Sequence, residues 1–279
     1  MATLTLTDKF SKLVDERFAP AAVTTASTNQ DYEFVGARGI KITSVNTVEM
    51  NDYKRSGDNR YGQADELTNE IQEELMKKDR SFTFTMDKMN EEESEVKVAP
   101  AIARQMREVV IPEIEAYRLA QMIAGAGNSE EGEITKENAY EEFLKGQEIM
   151  DDAFVPENRV CHGTPTFINK LKLSDNFIKA SELGQEVLLK GQLGEVDGVA
   201  IIKTPKSFMN GHDFVIAHKS ATVAPVKLAE TKVHLDPPGI SGTLVEGRFY
   251  YDAFVLNMKK NGLYAYKAKA PAETRAAKK

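Results

Sequence analysis

Tryptophan is absent from this sequence of 279 residues, and cysteine occurs once, as Cys161. A single thiol cannot close an intrachain disulfide, so the bridge-stapled scaffolds of small secreted proteins are excluded. Long apolar runs are missing too: stretches such as 109–111 and 199–202 fall far short of the roughly 20 residues of a membrane-spanning helix. No membrane partner is expected. Residues 1–12 mix Thr, Asp and Lys without an apolar segment, so no export signal is expected either. Positive charge is in deficit, with 36 Lys and Arg against 43 Asp and Glu and a formal charge of −7. That balance argues against a broad basic face that grips nucleic acid.

The patterns that carry common chemistries are also lacking. No Gly-x-Gly-x-x-Gly follows a predicted strand, no Gly-rich loop ends in Lys-Ser or Lys-Thr, and there is no Gly-x-Ser-x-Gly elbow. Gly125 and Gly127 have the spacing of a nucleotide-loop fragment but follow a helical pattern, where a cap role is expected. Cys161 and His162 are adjacent, and neighbours on a strand point to opposite faces, so they are not expected to act together. His212, His218 and His234 make no two-His helical spacing and have no second Cys with which to share a zinc ion. The acidic clusters at 91–93, 130–133 and 151–152 lack the regular ligand spacing of a calcium loop and read as solvated charge. No catalytic, cofactor-binding or metal-ligating residue is assigned, no cofactor is expected, and the chain is read as a non-enzyme.

What is present is the balance of a folded protein, 41% hydrophobic and 28% charged, long enough for one large or two modest domains. Residues 1–32 read as an arm with a short amphipathic start at Phe10, Leu13, Val14 and Phe18. Residues 39–45 alternate apolar and polar side chains, and 81–86 alternate again with Phe82, Phe84 and Met86 on one face. These two strands are expected to pair. The roughly 35 residues between them far exceed the roughly 2–5 of a hairpin loop. Within that excursion Leu67, Ile71 and Leu75 sit four apart amid charged residues, so helix and charged ribbon both remain open for 63–79.

Ser94 is the expected cap of the strongest predicted helix, 95–124, whose apolar stripe runs through Val98, Ile102, Met106, Val109, Val110, Ile114, Tyr117 and Met122. Pro112 predicts a kink, and Gly125-Ala-Gly127-Asn128 a left-handed cap. A second helix is predicted over 136–152 behind Thr135. A strand at 159–162, a helix from Pro165 and a strand at 198–203 follow. The last third reads as strands at 214–218, 222–228, 232–235, 247–257 and 262–267, the final two joined by the hairpin signal Lys259-Lys-Asn-Gly262. The class is α+β. Residues 267–279 carry five basic side chains and Pro271 and read as a solvated end.

Three stretches together are similar to the major capsid proteins of tailed phages and prophages, of the Hong Kong 97-type fold. They are Val48-Glu-Met-Asn-Asp-Tyr-Lys-Arg-Ser-Gly-Asp-Asn-Arg-Tyr-Gly62 with Asp79-Arg-Ser-Phe-Thr-Phe-Thr-Met-Asp87; Arg107-Glu-Val-Val-Ile-Pro-Glu-Ile-Glu-Ala-Tyr-Arg118; and Gly247-Arg-Phe-Tyr-Tyr-Asp-Ala-Phe-Val-Leu-Asn-Met-Lys-Lys-Asn-Gly-Leu-Tyr264. The resemblance implies an N-terminal arm at 1–32, an extended loop at 33–92, and a peripheral domain from 93–134 and 214–267 with the long spine helix. It further implies an axial domain at 135–213 and a disordered tail at 268–279. The implied role is structural: self-assembly as pentamers and hexamers into an icosahedral shell around double-stranded DNA held non-specifically. The implied partners are a separate scaffolding protein and a portal, and the implied location is the virion, assembled in the bacterial cytoplasm. An encapsulin-like nanocompartment enclosing a cargo enzyme is the alternative. Some relatives cross-link an extended-loop Lys; Lys54, Lys77 and Lys78 lie in that segment, but no partner is assigned.

Overall fold

The computed structural model describes residues 22–29, 39–62, 64, 66–89, 97–174 and 194–269. The expected arm helix at Phe10 to Phe18, the cap Ser94 with its acidic neighbours, and the tail beyond 269 lie outside the described residues.

The main core is built on a six-stranded sheet. Its strands are β4 (Asn128–Gly132), β5 (Arg159–Gly163), β6 (Glu195–Val196), β7 (Val199–Lys203), β8 (His212–His218) and β13 (Leu263–Ala268), in the order β4-β13-β8-β5-β7-β6. One face is covered by helices α3 (Ala139–Asp152) and α4 (Pro165–Lys172), which bury Phe143, Met150, Phe167 and Leu171 against Cys161, Phe214, Ile216 and Tyr264. Phe214 sits at the centre of an aromatic stack, 4.5 Å from Phe167 and 5.2 Å from Tyr266 between ring centroids. Such pairs hold their geometry through ring quadrupoles as well as burial. Strand β5 is buried at every position, its polar Arg159 and His162 included. The expected boundary at 213/214 falls inside β8, so this sheet draws on segments from both sides of it.

The predicted long helix is a continuous helical run in three parts: α1 (Val98–Gln105), a five-residue π turn (Met106–Val110) and α2 (Ile111–Ala124). Proline cannot donate a backbone hydrogen bond. Just before Pro112 the register loosens, and the Ile111 amide donates to the Met106 carbonyl five residues back. The interruption expected at Pro112 is accommodated by this π turn.

Strand β3 (Lys78–Asp87) pairs with β11 (Gly242–Tyr251) and β11 with β10 (Val226–Leu235), forming a three-stranded sheet against the helix. The expected pairing of 39–45 with 81–86 is therefore incorrect. Strand β1 (Gly39–Val45) pairs instead with β2 (Asn69–Leu75), in register from Gly39 opposite Leu75 to Val45 opposite Asn69. Alternation identifies a strand without naming its partner. Residues four apart lie on one face of a strand as well as of a helix, so Ile71 and Leu75 fitted both states, and the ribbon is the outcome.

Two further expectations change. Residues 257–262 form a 3-10 turn, not a hairpin: β12 (Phe254–Val255) pairs with β9 (Thr222–Val223), while β13 joins the large sheet. The second helix begins at Ala139, but Thr135 still organises its entry. The Thr135 amide donates to Asn138 Oδ1 at 2.7 Å and the Asn138 amide to Thr135 Oγ1 at 3.4 Å, a reciprocal cap.

The glycines after α2 do not supply the left-handed cap: Gly125 has φ −95°. They allow close approach instead. A Cβ on Gly125 would lie 2.5 Å from Val255 Cγ2, and one on Gly127 2.7 Å from the Lys260 backbone, to which the Gly127 amide donates at 2.9 Å. A backbone neighbour cannot rotate away. Gly127→Ala should therefore cost about 1–3 kcal/mol, seen as a lowered melting temperature. Gly194→Ala, with no atom within 4 Å, should leave it within experimental error.

Candidate assembly surfaces

The side chains that could have suggested catalysis are placed apart or sealed. Cys161 points into the apolar core, where burial pushes its thiol far above the ordinary range. His162 points to the opposite face of β5, as expected for adjacent strand residues. His212 contacts the carbonyls of Met209 and Asn210, His218 contacts Ser220, and His234 faces Glu246 across β10 and β11. Among the described residues no group of three or more potential ligands is arranged to hold a metal ion. Of the acidic clusters, Glu130 receives hydrogen bonds from Lys145 and Tyr264, Glu131 from Lys267, and Asp151 from Arg159.

The features that remain are surfaces and the devices that hold them. The ribbon β1–β2 turns one face to the body: Ile40 and Ile42 bury against Val223 and Leu256, with Phe254 packed alongside. Gln72, on that face, donates to the Val255 carbonyl at 3.1 Å and accepts from the Asn257 amide at 3.0 Å. The other face presents Val45, Ile71 and Leu75, all exposed. Where the chain leaves the ribbon for β3, buried Asp252 accepts from the Lys77 amide at 2.8 Å and from the Tyr117 hydroxyl at 2.7 Å. One carboxylate thus ties the ribbon's root, the helix and the end of β11 together. Lys78 Nζ lies 4.8 Å from the centre of the Tyr117 ring, adding a cation–π contact. Lys54, the other lysine singled out by sequence, donates its amide to the Arg60 carbonyl at the ribbon's far end.

The segment 22–29 is a strap held by two buried polar anchors. Glu115, only 2% exposed, accepts from the amides of Val23 and Thr24 at 2.8 and 2.7 Å and from Thr24 Oγ1 at 3.0 Å, with Arg118 Nη1 at 3.3 Å. Four donors satisfy a carboxylate that would otherwise be costly to bury. At the second anchor Ser27 Oγ gives its one proton to the Thr24 carbonyl at 3.1 Å, so across the 2.7 Å contact His162 Nε2–H donates to Ser27. His162 Nδ1 lies 3.4 Å from Thr204 Oγ1, which is also 3.4 Å from the Ile202 carbonyl it donates to. Sequence reasoning missed both Glu115 and Asp252. For Glu115 a signal existed: it lies four and seven residues before Leu119 and Met122, both fully buried, so it shares the inward face of α2. Asp252 carries no such signal, because its donors come from distant segments.

No protein-family model matches this chain. No curated protein matches it either. Solved structures do. A chain from Mycobacterium phage Che8 superposes with a TM-score of 0.77 at 17% identity, covering 93% of this chain and 96% of that one. A chain from the capsid structure of the cyanophage P-SCSP1u gives 0.75 at 14% identity, covering 95% and 93%. A chain from the mature capsid of bacteriophage PhiM1 gives 0.71 at 14% identity, covering 95% and 92%. The chain therefore has the α+β, Hong Kong 97-type fold of phage capsid structures along nearly its whole length.

Burial holds His162 neutral in the folded chain, lowering its pKa from 6.5 to about 4. Between those values the unfolded chain binds a proton that the folded chain does not. The stability due to neutral His162 is thus fully present above about pH 6.5 and is lost as pH falls toward 4, on the order of 3 kcal/mol across the window. His162→Asn, polar but not titrating, should flatten the difference in urea midpoint between pH 7 and pH 5. An unchanged difference would contradict the assignment.

Proposed function

We propose that this chain is the major capsid protein of a tailed phage or prophage, assembling as pentamers and hexamers into an icosahedral shell around double-stranded DNA. The observation that carries the reading is the likeness to phage capsid chains over more than nine-tenths of this chain. The anatomy supports it. A ribbon with Val45, Ile71 and Leu75 exposed on its outer face suits a part that overlaps its copies, and the same surface on every copy gives repeated heterologous contacts. On this reading residues 1–32 are the arm, 33–92 the extended loop, 93–134 and 214–267 the peripheral domain, and 135–213 the axial domain.

The role is structural and not enzymatic. A separate scaffolding protein and a portal would be its partners, the host cytoplasm its place of assembly and the virion its final location. The net charge of −7 suits an inner wall that holds DNA non-specifically, because a strongly basic wall would bind phosphate tightly and impede packing. The phage origin of the similar structures favours this reading over an encapsulin-like compartment.

The pairing of β1 with β2 defines the test. Residues 46–68 can be replaced by an Asn-Gly turn joining Val45 to Asn69, which already face each other. The shortened chain should keep cooperative thermal unfolding by circular dichroism and lose shell formation by sedimentation velocity with scaffolding protein present. Closed particles from the shortened chain would overturn the overlapping-loop reading.

A further inference from the structure

Beyond Glu115 and His162, the strap at 22–29 has a further attachment. The Asn29 amide donates to the Thr222 carbonyl at 2.8 Å and the Ala224 amide to the Asn29 carbonyl at 3.0 Å, so Asn29 forms a parallel bridge to Val223. On its other side β9 pairs with β12, Val223 opposite Phe254 and Thr222 opposite Val255. Strands of two residues are too short to be stable as a pair, and Asn29 extends this small platform by a third chain.

The ribbon is seated on the same platform. Val223, fully buried, packs with Ile40, Ile42 and Leu256, and Gln72 binds the backbone at 255 and 257. Strand β9 thus meets the strap with its backbone and the ribbon with a side chain. The strap itself reads Ala-Val-Thr-Thr-Ala-Ser-Thr-Asn, with no charged residue and no apolar side chain larger than Val23, which lies beside Leu119 and Met122. Its adhesion is therefore largely hydrogen bonding, which water replaces at small net cost once the segment lifts. A segment held in this way opens locally, without unfolding the protein.

We infer that the strap is a latch on the ribbon: docked at Glu115, His162 and β9 it holds the platform under Ile40 and Ile42, and its release loosens the ribbon's root while the other two large sheets stay formed. Asp252 still accepts from the Lys77 amide, so the loosened ribbon stays tethered at its exit. Because strap and ribbon share β9, the coupling runs both ways: whatever weakens the ribbon's seat must weaken the strap. The latch is a property of the single subunit, goes beyond the capsid reading, and neither requires shell formation nor fails with it.

Hydrogen exchange of the full chain, followed by mass spectrometry, reads the latch from both ends. Glu115→Gln removes the charge that two strap amides share. Amides at 23–29 should then exchange faster by about tenfold or more, and those at 222–224, 40–45 and 69–75 should follow. Amides at 82–86, 243–249 and 160–163 should keep their wild-type rates. Ser27→Ala, a milder change that removes only the acceptor of His162 Nε2–H, should give the same pattern more weakly. Gln72→Ala, made on the ribbon, should speed exchange at 29 and 224. Acceleration confined to 23–29, or a strap unmoved by Gln72→Ala, would overturn the latch. Equal acceleration of every sheet would overturn it as well, since the strap would then belong to the global fold and not to a local closure.

Discussion

A two-stranded ribbon is marginally stable at best by itself in water, and this chain projects one with Val45, Ile71 and Leu75 exposed on its outer face and Tyr61 exposed at its tip. Everything else in the region follows from the need to hold its root. Ile40 and Ile42 supply the burial, Gln72 locks β2 to the backbone at 255 and 257, and Asp252 joins the ribbon's exit to Tyr117 on the helix. The cost of exposing Val45, Ile71 and Leu75 is borne by those contacts in the isolated subunit. A neighbour that covered that face in an assembly of copies would relieve the cost and would couple the stability of the ribbon to assembly.

The helix works as the common beam. One side packs on β11 and β3 through Val110, Ile114 and Tyr117. Another side buries Glu115 and Arg118 beneath the strap at 22–29. Apolar packing alone would fix neither the direction nor the register of the strap. A carboxylate that needs two specific backbone amides does, since removing either partner leaves a buried charge unsatisfied. His162 adds a second point of registration on the large sheet, so the strap is fixed to two elements at once.

Local features were legible in the sequence where a single segment determines the outcome. Alternation marked 39–45 and the strand around 81–86, the apolar stripe marked the long helix, and Pro112 marked its irregular point. Pairing was not legible, because the partner of β3 lies about 160 residues further along in β11 and nothing local encodes that choice. Gly125 and Gly127 were correctly read as ending the helix, but for conformational freedom, when the reason is a close approach to Val255 and Lys260. The surfaces were the hardest to read. Exposed apolar residues such as Tyr61 and Val109 resemble core residues in sequence, and only the fold distinguishes an exposed side chain from a buried one.

Electron microscopy of the purified chain, expressed alone and with a phage scaffolding protein, tests the central claim most directly. The account predicts closed particles of icosahedral symmetry with clusters of five and six subunits on their surface. Small discrete oligomers in both preparations, with the subunit correctly folded, would contradict it.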